Sequence, residues 1–360
     1  MMMRLPQFLF FLSLFLMVLA LVDAHIKSII IFGDSQNDAG NNAFNKNCTI
    51  QANFKPYGSK YFHHPTGRFT NGRTVADFIC QYMNISFQKP YQEVHQELAN
   101  GRNRFPDNGI NFASAGSGLL RDTNRDDHVT PIQEQLQQFQ ALIDQKLLDK
   151  KQVMRSLIFM ASGSNDIFSY FMLPGASGMT PQQYILALLK EVSLFVDKTY
   201  KVGARRFAFF PIGPLGCIPG RVIIRGAPTD RCMGEMDLMV DRYNAALALL
   251  VKSMPKKYPG AIGIYGEVAN TVDKIRAYPK LYGFNNVSEA CCGSGPLNGQ
   301  LQCGYRDYKL CPNPDEYFFW DFFHPTQHVY MILSKILWAG NQKQIWPVNL
   351  KTLANHQQKA

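Results

Sequence analysis

The feature that most constrains the fold is a regular alternation of short apolar runs with long amphipathic stretches. The runs have the length and composition of buried strands, and the longer stretches have helical periodicity. The predicted strands cover residues 29–32, 109–113, 155–161, 206–211 and 261–265, and the predicted helices cover 131–151, 180–201, 233–254 and a segment that follows Pro325. This alternation favours an α/β fold, in which helices cover both faces of a parallel sheet.

Three of the apolar runs end in short turns that are rich in glycine and small polar residues. These turns cover residues 33–35, 114–118 and 162–166. In parallel sheets, functional groups gather where the strands reach their carboxyl ends. The sequence therefore predicts one crevice to which all three turns contribute. Segments 50–105 and 213–230 have a loop-rich composition and are predicted to shape the cleft.

Ser35 lies in the first of these turns, whereas Asp321 and His324 lie three residues apart near the other end of the chain. A serine needs a base to become a nucleophile, and the base needs an acid that fixes its tautomer. The three residues therefore predict a serine ester hydrolase. We expect the backbone N–H groups of Ser35 and Gly116 and the Asn165 side-chain amide to stabilise the negative charge on the substrate carbonyl.

Other chemistries lack their signatures in this sequence. It contains no Gly-x-Ser-x-Gly elbow, phosphate-binding loop, dinucleotide fingerprint or His-Glu-x-x-His motif. His324 and His328 are four residues apart, but no third ligand has suitable spacing, so we expect no metal site. The structural alternatives are that Gly-Asp-Ser is only a turn and that Asp321 only braces the last helix.

The first 24 residues have the pattern of a secretory signal peptide. Arg4 provides a positive charge, residues 8–22 are apolar, and small residues precede a cleavage site near His25. A membrane anchor is the alternative, but a spanning helix needs about 20 apolar residues and this run is shorter. The remaining 25–360 contain no Pro/Ser-rich linker, charge block or internal repeat. We therefore expect a single secreted domain with no stable membrane span.

All eight cysteines follow the predicted leader, and an even number in a secreted chain favours disulfides. Cys217 and Cys232 are successive cysteines in the sequence. A disulfide between them would close a short loop and stabilise the fold by about 3 kcal/mol. Cys291 and Cys292 are adjacent, and Cys303 and Cys311 are their nearest candidates. The sequence leaves the pairing open, and the candidates are Cys48, Cys80, Cys217, Cys232, Cys291, Cys292, Cys303 and Cys311.

Sequons and charge bear on the surface of the mature protein. Asn47, Asn84 and Asn286 begin acceptor sequons for N-glycosylation, which agrees with a secretory route. The net charge of +10 comes from Lys and Arg in short scattered pairs, with no nucleic-acid motif beside them. A solvated basic surface is the first interpretation, and weak adsorption to anionic cell-wall polysaccharide is the alternative.

Several sequence blocks together resemble one known family. They start with Phe-Gly-Asp-Ser-Gln-Asn-Asp-Ala-Gly-Asn-Asn and end with Trp-Asp-Phe-Phe-His-Pro-Thr, and they cover residues 32–42, 65–73, 111–118, 163–166, 214–217, 290–293 and 320–326. In this combination the sequence resembles the plant GDSL-type esterases and lipases of the SGNH hydrolase superfamily. The resemblance covers nearly the whole mature chain. Gln36 and Ala115 depart from the pattern, because the family has Leu after the nucleophile and many members have Gly at the second position.

The resemblance implies a three-layer α/β/α flavodoxin-like fold with a central parallel sheet. It also implies a Ser35–Asp321–His324 triad, an oxyanion hole built from Ser35, Gly116 and Asn165, and no cofactor. Family members usually hydrolyse carboxylic esters, including acyl lipids and acetylated polysaccharides, so the expected partner is a small or polymeric ester. Two alternatives stay open: an extracellular acyltransferase that uses the same triad, and an inactive binding or defence protein on this fold.

Overall fold

The computed structural model describes residues 26–101 and 105–355, and its centre is a six-stranded sheet. The predicted signal peptide lies outside the described residues. The sheet has the strand order β10-β5-β4-β3-β1-β2. Its strands are β1 (Ser28–Gly33), β2 (Gly109–Asn111), β3 (Ser156–Ala161), β4 (Arg206–Phe209), β5 (Ile262–Gly266) and β10 (Ile345–Trp346). The first five are parallel, and β10 pairs antiparallel with β5 at one edge.

The central strands are buried on both faces, since every residue of β1, β3 and β4 is buried. This explains why these strands are mainly apolar after their first residue instead of alternating. On one face, Phe32 of β1 packs edge-on against Phe139 and Phe195 of two helices, with ring centroids 5.6 and 5.0 Å away. These aromatic contacts fix the position of β1, whose carboxyl end leads into the Ser35 turn.

The helices form two groups that cover the two faces of the sheet, so the fold is the predicted α/β class with three layers. One group contains α3 (Ile132–Asp144), α5 (Ser164–Met172), α6 (Pro181–Lys201) and α7 (Gly234–Lys257). The other contains α1 (Val75–Tyr82), α8 (Val268–Ala277), α9 (Gln327–Ala339) and α10 (Leu350–Asn355). Two short helices, α2 (Tyr91–Ala99) and α4 (Lys150–Arg155), complete the set in the described residues.

The last helix begins at Gln327, with Thr326 as its N-cap residue, and thus follows Pro325 as predicted. Two other predictions were wrong. The amphipathic stretch 131–151 is broken after α3, where Lys146 has a positive φ of 59° and α4 begins anew at Lys150. The loop-rich stretch 50–105 contains α1 and α2, and a Thr74–Asp77 capping box starts α1.

A small lobe precedes the Asp321–His324 segment, and we call residues 286–319 the disulfide lobe. It contains β6 (Asn286–Ala290), paired in parallel with β9 (Tyr317–Phe319), and β7 (Cys292–Gly293), paired with β8 (Lys309–Leu310). Two disulfides, Cys291–Cys311 and Cys292–Cys303, close it. Its cysteines form a buried cluster with Tyr57 and Trp320, so the lobe is packed onto the segment that carries the predicted acid and base.

The third disulfide joins Cys217 to Cys232, the pair that the sequence spacing indicated. The prediction that Cys48 and Cys80 form disulfides was wrong, because both are free and buried. Cys80 lies on α1, where its thiol donates to Gln88 Oε1, and Cys48 contacts the Ile50 carbonyl. Each thiol thus has an acceptor oxygen close by. Across residues 26–101 and 105–355, no helix is both long and apolar enough to cross a bilayer.

Candidate active site

Ser35 follows β1 in a turn whose path depends on Gly33. Gly33 has a φ of +132°, and a Cβ atom at this position would lie 1.9 Å from the carbonyl oxygen of Ala161 on β3. Only glycine permits this close approach of the two strands. The Gln135 side chain bonds both the N–H and the carbonyl of Gly33, at 3.0 and 2.9 Å. The nucleophile candidate is therefore held by the sheet itself and by one buried amide.

The structure brings Ser35, His324 and Asp321 into one hydrogen-bonded row. His324 Nε2 lies 2.7 Å from Ser35 Oγ, and His324 Nδ1 lies 2.8 Å from Asp321 Oδ1 and 2.9 Å from Oδ2. All three side chains are buried. Because an ionised carboxylate only accepts hydrogen bonds, the Nδ1 proton belongs to the bond with Asp321, and Nε2 can accept the serine proton.

Asp321 is fully buried, yet its carboxylate is stabilised as an anion. Burial alone would raise its pKa, but the nearby His324 and hydrogen bonds from His324, Tyr57 and the Phe323 N–H together lower the pKa below the ordinary value. The Tyr57 hydroxyl donates to Oδ2 at 2.6 Å. The backbone N–H groups of Phe323 and His324 donate to Oδ1 at 2.9 and 2.7 Å. Asp321 thus remains ionised and in a fixed orientation.

Sequence reasoning missed Tyr57 and Gln302, which support the acid from outside the motif. Tyr57 is buried, and its pKa is raised well above the ordinary value, mainly by burial and also by Asp321, so its hydroxyl stays protonated. Gln302 of the disulfide lobe donates to the Tyr57 oxygen at 3.1 Å. Tyr57 lies 264 residues from Asp321 in sequence, in a stretch that was predicted to be loop-rich, so spacing gave no signal for this contact.

The three predicted oxyanion donors lie just after three neighbouring strands, and a hydrogen bond joins the segments of two of them, Gly116 and Asn165. Gly116 has a φ of +79° in the turn after β2, and Asn165 is the second residue of α5. Asn165 Nδ2 donates to the Ser117 carbonyl at 2.9 Å, which uses one of its two N–H groups and leaves the other. The Ser35 and Gly116 backbone N–H groups donate to no group within the described part of the chain.

Three buried carboxylates around these turns act as acceptors for backbone N–H groups. Asp38 binds the N–H groups of Gly40, Asn41 and Ala115, and burial raises its pKa to about 6. Asp166 accepts from Leu119 N, Leu120 N and the Thr123 hydroxyl, and burial raises its pKa as well.

Asp34, beside the nucleophile, accepts from Gln36 N at 3.0 Å and from Ser164 Oγ at 2.8 Å. Burial raises its pKa to about 6 despite these bonds. Asp34 therefore links the Ser35 turn to the start of α5, which carries Asn165.

The remaining predicted sites lie apart from this row. Asn47 and Asn84 are exposed, whereas Asn286 is half-buried and its side chain bonds Ser288 N and Glu289. His328, the second member of the histidine pair, has Nδ1 2.7 Å from the Asp315 carbonyl. Since both His324 nitrogens are already engaged, the two histidines do not form a shared metal site.

A family model described as GDSL-like lipase/acylhydrolase matches residues 29–337. The chain belongs to this family. It is 52% identical to GDSL esterase/lipase 6 of Arabidopsis thaliana over 339 residues, which cover 94% of this chain and 93% of the relative.

More distant relatives also match along nearly the full chain. A GDSL lipase of Tanacetum cinerariifolium is 33% identical, with 91% of this chain and 87% of that protein covered. GDSL esterase/lipase 5 of Arabidopsis thaliana is 31% identical, with 92% and 88% covered. The predicted family, fold class and enzyme class, a carboxylic ester hydrolase, are confirmed.

Proposed function

We propose that this protein is a secreted serine esterase in which Ser35 is the nucleophile, His324 the general base and Asp321 the orienting acid. The observation that carries the proposal is the position of the His324 ring, with 2.7 Å from Nε2 to Ser35 Oγ and 2.8 Å from Nδ1 to Asp321. This is hydrogen-bond distance for the proton transfer that activates a serine.

In the first half of the reaction, Ser35 Oγ attacks the ester carbonyl while its proton passes to His324 Nε2. The imidazolium that forms is stabilised by the ionised Asp321. Collapse of the tetrahedral intermediate expels the alcohol, which takes the proton from Nε2, and leaves an acyl group on Ser35. In the second half, water gives a proton to Nε2 and attacks the acyl carbonyl. Collapse of the second intermediate breaks the bond to Ser35, returns the proton from Nε2 to Ser35 Oγ and releases the carboxylic acid.

The negative oxygen of the tetrahedral intermediates requires donors that are already in place. The Ser35 and Gly116 backbone N–H groups and the second N–H of Asn165 have no other acceptor among the described residues. Each donor of this kind contributes about 100- to 1000-fold to turnover. Asn165→Ala should therefore lower kcat in this range while Ser35 still reacts with a fluorophosphonate probe.

We also propose that the protein works outside the cell, in the cell wall. The three disulfides support an oxidising compartment, and the exposed Asn47 and Asn84 side chains are accessible for glycosylation. The net charge of +10 supports weak adsorption to anionic cell-wall polysaccharide. That adsorption would appear as retention on a pectin matrix which salt removes.

The experiment that tests the function is hydrolysis of p-nitrophenyl esters from acetate to palmitate by protein with intact disulfides. Turnover that disappears in Ser35→Ala, with unchanged circular dichroism, supports the esterase assignment. Wild-type rates in Ser35→Ala would overturn it. Addition of an alcohol acceptor distinguishes hydrolysis from acyl transfer, because a transferase converts the acceptor into a new ester.

A further inference from the structure

An apolar pocket lies directly beside the Ser35 turn. Its lining includes Asp34 and Gln36, the two neighbours of Ser35, and Phe323 and Pro325, the two neighbours of His324. Its wall is built mainly from apolar side chains that follow β4 or belong to β9 and α9, including Phe210, Ile212, Leu215, Phe318 and Leu333. The pocket therefore lies next to the residues that the proposed reaction uses.

Two polar side chains face this apolar pocket without a full set of partners. Ser162, just after β3, is 7% exposed, and its hydroxyl has no hydrogen-bond partner among the described residues. A buried hydroxyl without a partner is unfavourable, so such a group calls for a partner that the chain itself does not supply, such as a ligand or an ordered water. The unpartnered Ser162 hydroxyl therefore indicates a ligand that carries an oxygen atom into the pocket.

Gln36 is the second polar side chain, and it stands where the family has leucine. The Tyr330 hydroxyl donates to Gln36 Oε1 at 2.6 Å, which fixes the amide at the pocket wall. With Oε1 occupied, Nε2 is the group left to donate, and no described group accepts from it. Leucine would close the wall with apolar surface, whereas Gln36 adds a donor of hydrogen bonds.

We propose that this pocket binds the acyl part of the ester and selects an acyl group that carries a neutral oxygen function, such as a hydroxyl, which bonds Ser162 Oγ and Gln36 Nε2. The proposal rests on the esterase function and specifies its substrate class. A pocket that is otherwise apolar then binds the hydrocarbon part of the chain, and the two polar groups discriminate against chains that lack the oxygen.

The pocket suits the acyl part better than the alcohol part because of the route that water must take. After the alcohol has left, water approaches the acyl carbonyl next to His324 from the side that the alcohol vacated. A pocket with mainly apolar walls is a poor route for that water. The acyl chain, in contrast, stays on Ser35 through both halves of the reaction and gains from burial.

The ligand oxygen is expected to be neutral because Asp34 also borders the pocket. Both Asp34 oxygens accept hydrogen bonds, from Gln36 N and from Ser164 Oγ, and an ionised carboxylate has no donor to offer an anion. At neutral pH its negative charge repels a second carboxylate. A hydroxyacyl ester therefore fits this pocket, and the half-ester of a dicarboxylic acid does not.

The test compares ethyl octanoate with its 3-hydroxy and 7-hydroxy counterparts by pH-stat. The wild type should favour at least one hydroxyoctanoate by about 10-fold or more in kcat/KM. Ser162→Ala and Gln36→Leu should each lower that ratio about 10-fold, and the exposed Ser253→Ala on α7 should leave it within about 2-fold. Two independent substitutions keep the test decisive when one of them does not fold.

A second series keeps the acyl group constant and compares octyl acetate with 8-hydroxyoctyl acetate. A preference for the hydroxylated ester that appears only in this series would overturn the proposal, because the protein would then recognise a hydroxyl on the alcohol part of the ester. Hydrolysis of ethyl octanoate with no hydroxyl preference, or a preference that survives both substitutions, would overturn it while the esterase function stands. Absence of any Ser35-dependent hydrolysis would overturn the esterase function and this proposal together.

Discussion

The two halves of the site are held in place by different means. The nucleophile half, the Ser35 turn, is continuous with the central sheet. Gly33 at the end of β1 pairs with Ala161 at the end of the neighbouring strand β3. The acid–base half, residues 320–324, is a loop outside the sheet. It is held by backbone bonds from Trp320 N to the His324 carbonyl and from Cys292 N to the Trp320 carbonyl. One half is fixed by strand register and the other by a disulfide lobe.

The two halves should therefore respond differently to substitution. A substitution that displaces the backbone of the nucleophile half, such as one at Gly33, disturbs the core and should reduce folding and activity together. A change in the acid–base half affects a loop outside the central sheet, so activity should fall while the sheet stays folded. The Tyr57 hydroxyl lies at the border, since it is bonded both to Asp321 and to Gln302 of the disulfide lobe.

The largest effect is expected from Gly33→Ala in the nucleophile half. The added Cβ would overlap the Ala161 carbonyl at 1.9 Å, and the φ of +132° is unfavourable for alanine. We expect a loss of more than about 3 kcal/mol of stability, with folding and activity lost together. Gly175→Ala is the matched control, because it has a φ of +81° but nothing within 4 Å, and it should lose only about 1 kcal/mol. Thermal unfolding monitored by circular dichroism checks this, and equal losses would contradict it.

The next effect concerns the disulfide lobe, where Cys292→Ala combined with Cys303→Ala removes a link across 11 residues. We expect about 3 kcal/mol less stability and a kcat for p-nitrophenyl acetate reduced about 10-fold, because Gln302 and Tyr57 lose their anchor. Removal of Cys217–Cys232, which spans 15 residues, should give a similar loss of stability. If kcat fell equally in both variants, the lobe would have no special role in positioning the acid.

Tyr57→Phe should have a smaller and more specific effect. The loss of one hydrogen bond to a buried charge, about 1.5 kcal/mol, should lower kcat about 10-fold. Because the Tyr57 hydrogen bond lowers the pKa of Asp321, its removal raises that pKa. As the pH falls, the variant should therefore lose activity earlier, at a higher pH, than the wild type does. Kinetic pH profiles measure both effects. Tyr200→Phe, which removes a bond to the Pro259 carbonyl, is the control with an unchanged profile.

The smallest effect is expected from Asp34→Asn and concerns stability against pH. The folded-state pKa of Asp34 is about 6, above its ordinary value of 3.8, so the folded state binds more protons than the unfolded chain between these values. Wild-type stability should therefore fall as pH rises from 4 to 6, by at most about 1.4 kcal/mol per pH unit from this group.

Asp34→Asn does not titrate at this position, so its stability should fall less over the same range. Urea unfolding at several pH values gives the comparison, and the exposed Asp126→Asn should follow the wild type. A wild-type slope that Asp34→Asn does not reduce would contradict the role assigned to the buried carboxylate.

The sequence predicted the nucleophile half well because that half depends on local patterns. Apolar runs that end in glycine turns define parallel strands, and they placed Ser35, Gly116 and Asn165 on adjacent turns of the sheet edge. The antiparallel β10 escaped prediction because a two-residue strand has no periodicity. The break after α3 was also missed, since Lys146 adopts a left-handed conformation that its residue type does not signal.

The acid–base half was predictable only as a motif. The spacing of Asp321 and His324 predicted their roles, but the Tyr57–Asp321 and Gln302–Tyr57 bonds join segments that are distant in sequence. The free state of Cys48 and Cys80 was hidden for a similar reason, because an even cysteine count says nothing about which thiols meet. Such contacts result from tertiary packing alone.

The most direct test of the central claim is to look for the acyl group on Ser35 during turnover. Wild-type protein is mixed with p-nitrophenyl butyrate, quenched in acid within milliseconds and digested, and the peptides are mapped by mass spectrometry. We predict a butyryl adduct on the peptide that contains Ser35, and no such adduct in His324→Ala. A wild type that turns over with no adduct on Ser35 but with one on another residue would contradict the assignment of Ser35 as the nucleophile.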